Sequence, residues 1–113
     1  MKYMVLIYNR PGFVQDLSQA ERSELFGEVD AIIKELTDSG ELLGTEALAD
    51  PSTTRTVRVR DGVPAITDGP FIEAKEQFAG YLLLDCENLE RALDVAARWP
   101  DAKRFAMEVR QVL

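Results

Sequence analysis

The sequence predicts an α+β domain, a ferredoxin-like split β-α-β arrangement with a hairpin insertion. Three observations carry this expectation. Two stretches of helical apolar spacing each lie between strand-like runs, so the order reads β-α-β, hairpin, β-α-β. Asp61-Gly62, between two alternating runs, is a strong two-residue hairpin signal. The first strand is apolar on both faces and so needs a cover on each. At 113 residues the chain has room for one core, and 1–113 is expected to be a single domain.

Taken in order, Lys2 to Tyr8 is the first strand, with Tyr3, Val5 and Ile7 on one face and Met4, Leu6 and Tyr8 on the other. Asn9-Arg10-Pro11-Gly12 ends it as a loop. Ser18-Gln19-Ala20-Glu21 is a capping box that opens a helix. Leu25, Phe26, Val29, Ile32, Ile33 and Leu36 form its inward stripe, and Gly40 stops it. Leu42 to Leu48 is a second strand. Arg55 to Arg60 and Val63 to Thr67 are the arms of the hairpin. Glu76 to Cys86 is a long strand, with Phe78, Leu82 and Leu84 expected on one face. Gly80 inside it marks a bulge or a close backbone approach. Leu89 to Trp99 is the second helix, with Leu89, Ala92, Leu93, Ala96 and Ala97 inward and Pro100 as its stop. Arg104 to Val112 alternates as the last strand. Both helices fall on one face of the sheet, so a second copy of the chain is expected to cover the other.

Composition removes whole classes of chemistry. Hydrophobic content of 46% and charged content of 29% are those of a soluble folded domain. The apolar run Met4 to Tyr8 is too short for a membrane span or a signal-peptide core, which predicts a cytoplasmic protein without membrane contact. With no histidine there is no Ser-His or Cys-His catalysis and no His-ligated zinc. Acid–base work would fall to Asp, Glu, Lys or Tyr. The single cysteine, Cys86, reads as a small core residue. A net charge of −7 predicts no nucleic-acid partner, and Arg55, Arg58 and Arg60 read as a solvated hairpin rather than a phosphate strip. No phosphate loop, metal-spaced cluster or nucleotide fingerprint is present, so neither metal nor cofactor is expected.

The least ordinary stretch is Asp68-Gly69-Pro70-Phe71, continuing through Ile72-Glu73-Ala74-Lys75-Glu76-Gln77-Phe78-Ala79-Gly80-Tyr81. An aspartate in a turn usually accepts the N–H two residues on, and here that residue is Pro70, which has none. The Asp68 carboxylate must therefore turn to Phe71 N–H, to Lys75 or to a neighbouring strand. The topology would bring Asp68 towards Lys75, Glu76, Glu108 and Arg110, with Tyr8 and Arg10 at the end of the first strand. A carboxylate near a lysine and a second carboxylate is the minimum set for a tuned acid–base pair. The same charges also suit an ion-pair network that pins the loop. Asp68 is thus the candidate acceptor or base, with Tyr8, Arg10, Phe71, Lys75, Glu76 and Arg110 as candidate ligand-binding residues.

The string Asp68-Gly69-Pro70-Phe71, followed by Glu-x-Lys-Glu-Gln and Gly80-Tyr81, resembles the signature of the DGPF proteins within the YCII-related family. Met1 to Tyr8 and Met107 to Arg110 extend the resemblance to both ends of the chain. It implies a dimeric α+β barrel in which two sheets pack face to face. Related domains are read as enzymes through a histidine near the aspartate. This chain matches the aspartate at Asp68 and has no histidine, so no such dyad exists here. Two functions from different classes follow. One is a domain that binds, or transforms, a small molecule near Asp68-Gly69-Pro70-Phe71. The other is a non-enzymatic accessory protein acting through a protein partner such as a sigma factor, which the DGPF resemblance also implies.

Overall fold

The computed structural model describes residues 1–113. Strand β1 (Lys2–Asn9) leads into a single helical turn, α1 (Phe13–Asp16), and the long helix α2 (Gln19–Asp38). Then come β2 (Leu42–Ala47), a 3-10 turn at Pro51–Thr53, and the hairpin strands β3 (Arg55–Arg60) and β4 (Val63–Asp68). Strand β5 (Gln77–Asp85), helix α3 (Leu89–Arg98), the short turn α4 (Asp101–Arg104) and β6 (Ala106–Gln111) complete the order. One antiparallel sheet runs β2-β5-β1-β6, and β3-β4 forms a separate ribbon. Two interleaved β-α-β halves in this strand order make the expected ferredoxin-like α+β fold.

Local chemistry sets the limits of α2. The Ser18 hydroxyl accepts from Glu21 N–H at 3.1 Å, and the Glu21 carboxylate accepts from Ser18 N–H at 2.9 Å. Both halves of the capping box are therefore made. At the far end Gly40 takes φ 76°, which lets Glu41 N–H reach back to Leu36 C=O at 3.0 Å and close the last turn. Leu25, Ile32 and Leu36 are buried, whereas Phe26 stays half exposed at the edge of the stripe.

The core lies between the helices and one face of the sheet. Tyr3, Val5 and Ile7 of β1 and Leu82 and Leu84 of β5 meet Ile32 and Leu36 of α2 and Ala92, Val95 and Ala96 of α3. Cys86 is buried in the same cluster, as the sequence suggested, and burial pushes its thiol pKa up.

Helix α3 is rolled relative to its apolar spacing. Val95 is buried, while Leu89, Leu93 and Ala97, expected inward, are exposed. Ion pairs to α2 and to Glu41 just beyond it accompany the roll. Arg91 Nη2 reaches Glu41 at 2.7 Å and Glu35 at 3.0 Å, and Arg98 Nη2 reaches Glu35 at 2.7 Å. Those hydrogen bonds, from Arg98 first and Arg91 second, hold the Glu35 carboxyl pKa down to about 2. The small residues Ala92 and Ala96 then face the sheet. The last strand also begins later than expected. Pro100 stops α3, but residues 101–104 make one more helical turn, which places Arg104 over the Phe13 ring at 5.4 Å instead of in a strand.

A β-bulge revises the facing of β5. Ile7 pairs with Gly80 but Tyr8 pairs with Phe78, leaving Ala79 as the extra residue. Phe78 therefore joins Tyr8 on the sheet face away from the helices, with ring centroids 5.8 Å apart, rather than sharing a face with Leu82 and Leu84. Gly80 also serves the close approach expected of it: a Cβ built there would lie 2.6 Å from the Glu46 carbonyl oxygen of β2. Gly80→Ala is expected to push β2 off the sheet and lower stability by about 1–3 kcal/mol, as overpacking does. A urea titration of the variant checks this, and an unchanged midpoint would mean that β2 yields freely.

The remaining face of the sheet is bare. Met4, Leu6, Tyr8, Phe78, Tyr81 and Leu83 lie on it without a covering element. The hairpin turns through Asp61 (φ 51°) and Gly62 (φ 76°). On one side of it Val57 pairs with Ile66 and Val59 with Pro64, and Val57, Val59 and Ile66 are 60 to 67% exposed. Its other side carries Arg58 and Arg60, and Arg58 lies 5.4 Å over the Phe71 ring. The radius of gyration is 16.0 Å, against about 13 Å for a compact domain of this length. The molecule is a slab only 18 Å deep.

Candidate functional site

The Asp68-Gly69-Pro70-Phe71 corner is built largely by the hairpin. Gly69 takes φ 90°, its N–H donates to Thr54 C=O at 2.8 Å, and its C=O accepts from the Thr56 hydroxyl at 2.7 Å. The Asp68 carboxylate is held from the neighbouring strand, by Arg55 Nε at 3.1 Å, with its side chain 89% exposed. Neither Phe71 N–H nor Lys75 holds it.

The other sequence-predicted residues gather around Phe78. Phe71 shares a groove of about 370 Å³ with Leu48, Pro70, Gln77 and Phe78. Arg10 borders an adjoining pocket of about 190 Å³ that also contains Leu48, Gln77 and Phe78, and its guanidinium pairs with Asp16 at 2.8 Å. Tyr8 and Glu76 line a shallow depression with Glu108 on the bare sheet face. The Glu108 carboxylate, by hydrogen bonding to the phenol and with help from burial, raises the Tyr8 pKa, while Arg110 lowers it slightly. Lys75 is exposed and lines none of these cavities. Asp68 is likewise apart from Tyr8, Glu76 and Arg110. The structure thus brings Tyr8, Glu76, Glu108 and Arg110 together on one face and Arg10 and Phe71 onto the groove beside it.

A more apolar cleft was not anticipated from the sequence. It lies between α2 and the sheet, has a volume of about 340 Å³, and is walled by Ile7, Phe13, Phe26, Val29, Ile33 and Trp99. Ala79, the bulged residue, lines both this cleft and the Arg10 pocket, so the two adjoin. One charged side chain faces the cleft. Asp101 is 6% exposed, and its Oδ2 accepts from Asn9 Nδ2 at 2.9 Å. No lysine or arginine lies within ion-pairing distance of it. Burial pushes its carboxyl pKa up, against hydrogen bonds from Asn9 and Trp99 that favour the charged form. The Glu46 side chain, by its register opposite Tyr81, points to the other face, so Glu46 gives the cleft only backbone. In the sequence Asp101 is one more acid after a helix-stopping proline. Its partner Asn9 is 92 residues away, and no local pattern links them.

An antiparallel sheet with helices on one side, a bare opposite face and an apolar cleft under the long helix define a ferredoxin-like domain of the α+β barrel type. The chain belongs to the YCII-related domain family, whose model matches residues 1–113. It is 33% identical over 96 residues to an uncharacterized protein of Rhizobium meliloti (strain 1021), covering 85% of this chain and 77% of that protein. Its fold is similar to that of 5-chloro-2-hydroxyhydroquinone dehydrochlorinase from Burkholderia phenoliruptrix AC1100, solved in complex with 2,5-dihydroxybenzoquinone. That likeness has a TM-score of 0.57 at 15% identity and covers 100% of this chain and 94% of the other.

The geometry at Asp68 sets a limit on its contribution to stability. An ion pair this exposed is worth at most about 1 kcal/mol. Asp68→Asn is therefore expected to shift the unfolding free energy by less than that, measured by chemical denaturation. A larger loss would mean that the corner depends on the carboxylate in a way the Arg55 contact does not account for.

Proposed function

We propose that the chain acts as a homodimer that binds a small, largely apolar molecule in the cleft between α2 and the sheet. The cleft carries this reading. Its volume of about 340 Å³ falls within the ~300–1,000 Å³ usual for small-molecule sites. Its apolar wall with few polar groups is the usual composition of such sites as well. The Arg10 pocket adjoins it and leads on to the Phe71 groove, which places Phe71 at the far end of this run of pockets. The dehydrochlorinase of similar fold was solved with a single-ring molecule bound, which supports a ligand of that size here.

The dimer follows from the bare face. Six apolar or aromatic side chains on one side of a sheet form a patch of the kind that marks an interface. An isolated two-stranded ribbon is at best marginally stable in water, so the exposed Val57, Val59 and Ile66 side of the hairpin also calls for a cover. A second copy supplies both covers and brings the extended slab to compact dimensions. Light scattering should give about twice the 12.7 kDa chain mass at micromolar concentration, and Leu6→Glu on the bare face should yield the monomer. A wild-type monomer there would refute the assembly.

The ligand reading has its own test. In a thermal-shift panel of single-ring apolar compounds, saturating binders should raise the unfolding midpoint by several degrees. Val29→Phe, which fills the cleft, should abolish the shift. Shifts that survive Val29→Phe would move the site elsewhere.

A further inference from the structure

Asp101 is out of keeping with its surroundings. A buried carboxylate is normally paired with a cation, because leaving water is costly for an unpaired charge. Here the hydrogen bond from the neutral Asn9 amide, at 2.9 Å, takes the place of a cation. Three cationic groups come from nearby segments. Arg104 lies on the Phe13 ring, Arg10 is committed to Asp16 at 2.8 Å, and Lys103 reaches towards Glu28 at 3.9 Å. Arg104 is near enough to favour the charged carboxylate, but none of the three forms an ion pair with Asp101. The carboxylate sits against an apolar cleft whose walls include Trp99 and Phe13, both buried. Aromatic rings attract a cation through their π-faces, most strongly where water is excluded.

A buried carboxylate without an ion-paired cation, beside the Trp99 ring at the wall of an apolar cleft, is a receptor for positive charge. Resting on the reading of this cleft as the ligand site, we infer that Asp101 is its polar anchor, and that the ligand is a small apolar amine whose protonated head meets Asp101 while its hydrocarbon part lies along Val29, Ile33 and Ile7. Asn9, through Oδ2, and Trp99 hold the carboxylate in place, and the ammonium of the ligand would meet it from the cleft. The chain's charge of −7 assists the approach of a cation and opposes that of an anion. Ligand selection at this site is therefore by charge sign as well as by size.

Three probes of one shape separate the possibilities: benzylamine, benzyl alcohol and benzoate, titrated at neutral pH into the full chain and followed by NMR or calorimetry. Benzylamine should bind at least about tenfold more tightly than benzyl alcohol, and benzoate should not bind measurably. Asp101→Asn keeps the shape and should weaken benzylamine at least about tenfold, while benzyl alcohol, which also reports that the variant is folded, changes less than about threefold. If that variant fails to fold, the ranking on the wild-type chain still decides. Benzoate binding as tightly as benzylamine, or an amine affinity untouched by Asp101→Asn, would overturn the anchor while leaving the cleft as a ligand site. If none of the three binds, and the compounds that shift the midpoint survive Val29→Phe, the cleft reading and the anchor fall together.

Discussion

The structure depends on a mismatch between a sheet that is apolar on both faces and helices that cover only one. β1 contributes Tyr3, Val5 and Ile7 to the core and Met4, Leu6 and Tyr8 to the open side, and it is central in the strand order β2-β5-β1-β6. A central strand of this kind cannot leave one side to water without a large hydrophobic penalty, at roughly 25 cal/mol per Å² exposed. α2 and α3 cannot wrap around the sheet. They are tied to each other by the Arg91 and Arg98 pairs with Glu35 and Glu41, all on the covered side. The proposed assembly thus rests on the first eight residues.

The same arrangement leaves room for the cleft. α3 carries alanine at Ala92 and Ala96 and so packs close, with Val95 and Trp99 buried beside them. α2 lies over β1 and β5 through Ile32 and Leu36, and its neighbour at the sheet edge is β2. The unfilled volume collects at that edge, between Phe26, Val29 and Ile33 above and Thr45, Ala47 and Ala79 below. The half exposure of Phe26 has the same cause, since it points into space that β2 does not fill.

Much of the fold was legible because its signals are local and periodic. The capping box at Ser18, the Asp61-Gly62 turn, the double-sided apolar run of β1 and the glycine within β5 each report backbone geometry directly. The failures came where a long-range contact overruled a local period. The roll of α3 goes with Arg91 and Arg98 reaching Glu35 of α2 and Glu41 beyond it, contacts that leucine spacing alone does not record. The facing of Phe78 was misjudged because one extra residue inverts the alternation, and Gly80 advertised a bulge without saying which side chains it would move. The residues conspicuous in the sequence lie outside the cleft proposed as the ligand site. Arg10 and Phe71 border the outer pockets, whereas Asn9 and Asp101 are joined only by the finished fold.

The bulge at Ala79 is where these threads meet. Without it Phe78 would point towards the helices and fill the space beneath α2, since β5 would continue the face of Leu82 and Leu84. With it, Phe78 crosses to the bare face and packs on Tyr8, enlarging the surface a second copy would cover. A one-methyl side chain, Ala79, is left at the cleft instead. Gly80, pressed against the Glu46 carbonyl, keeps β2 close enough to close the floor. One inserted residue thus removes an aromatic ring from the proposed ligand site and adds it to the proposed interface. Cavity and contact surface are two results of the same change in register.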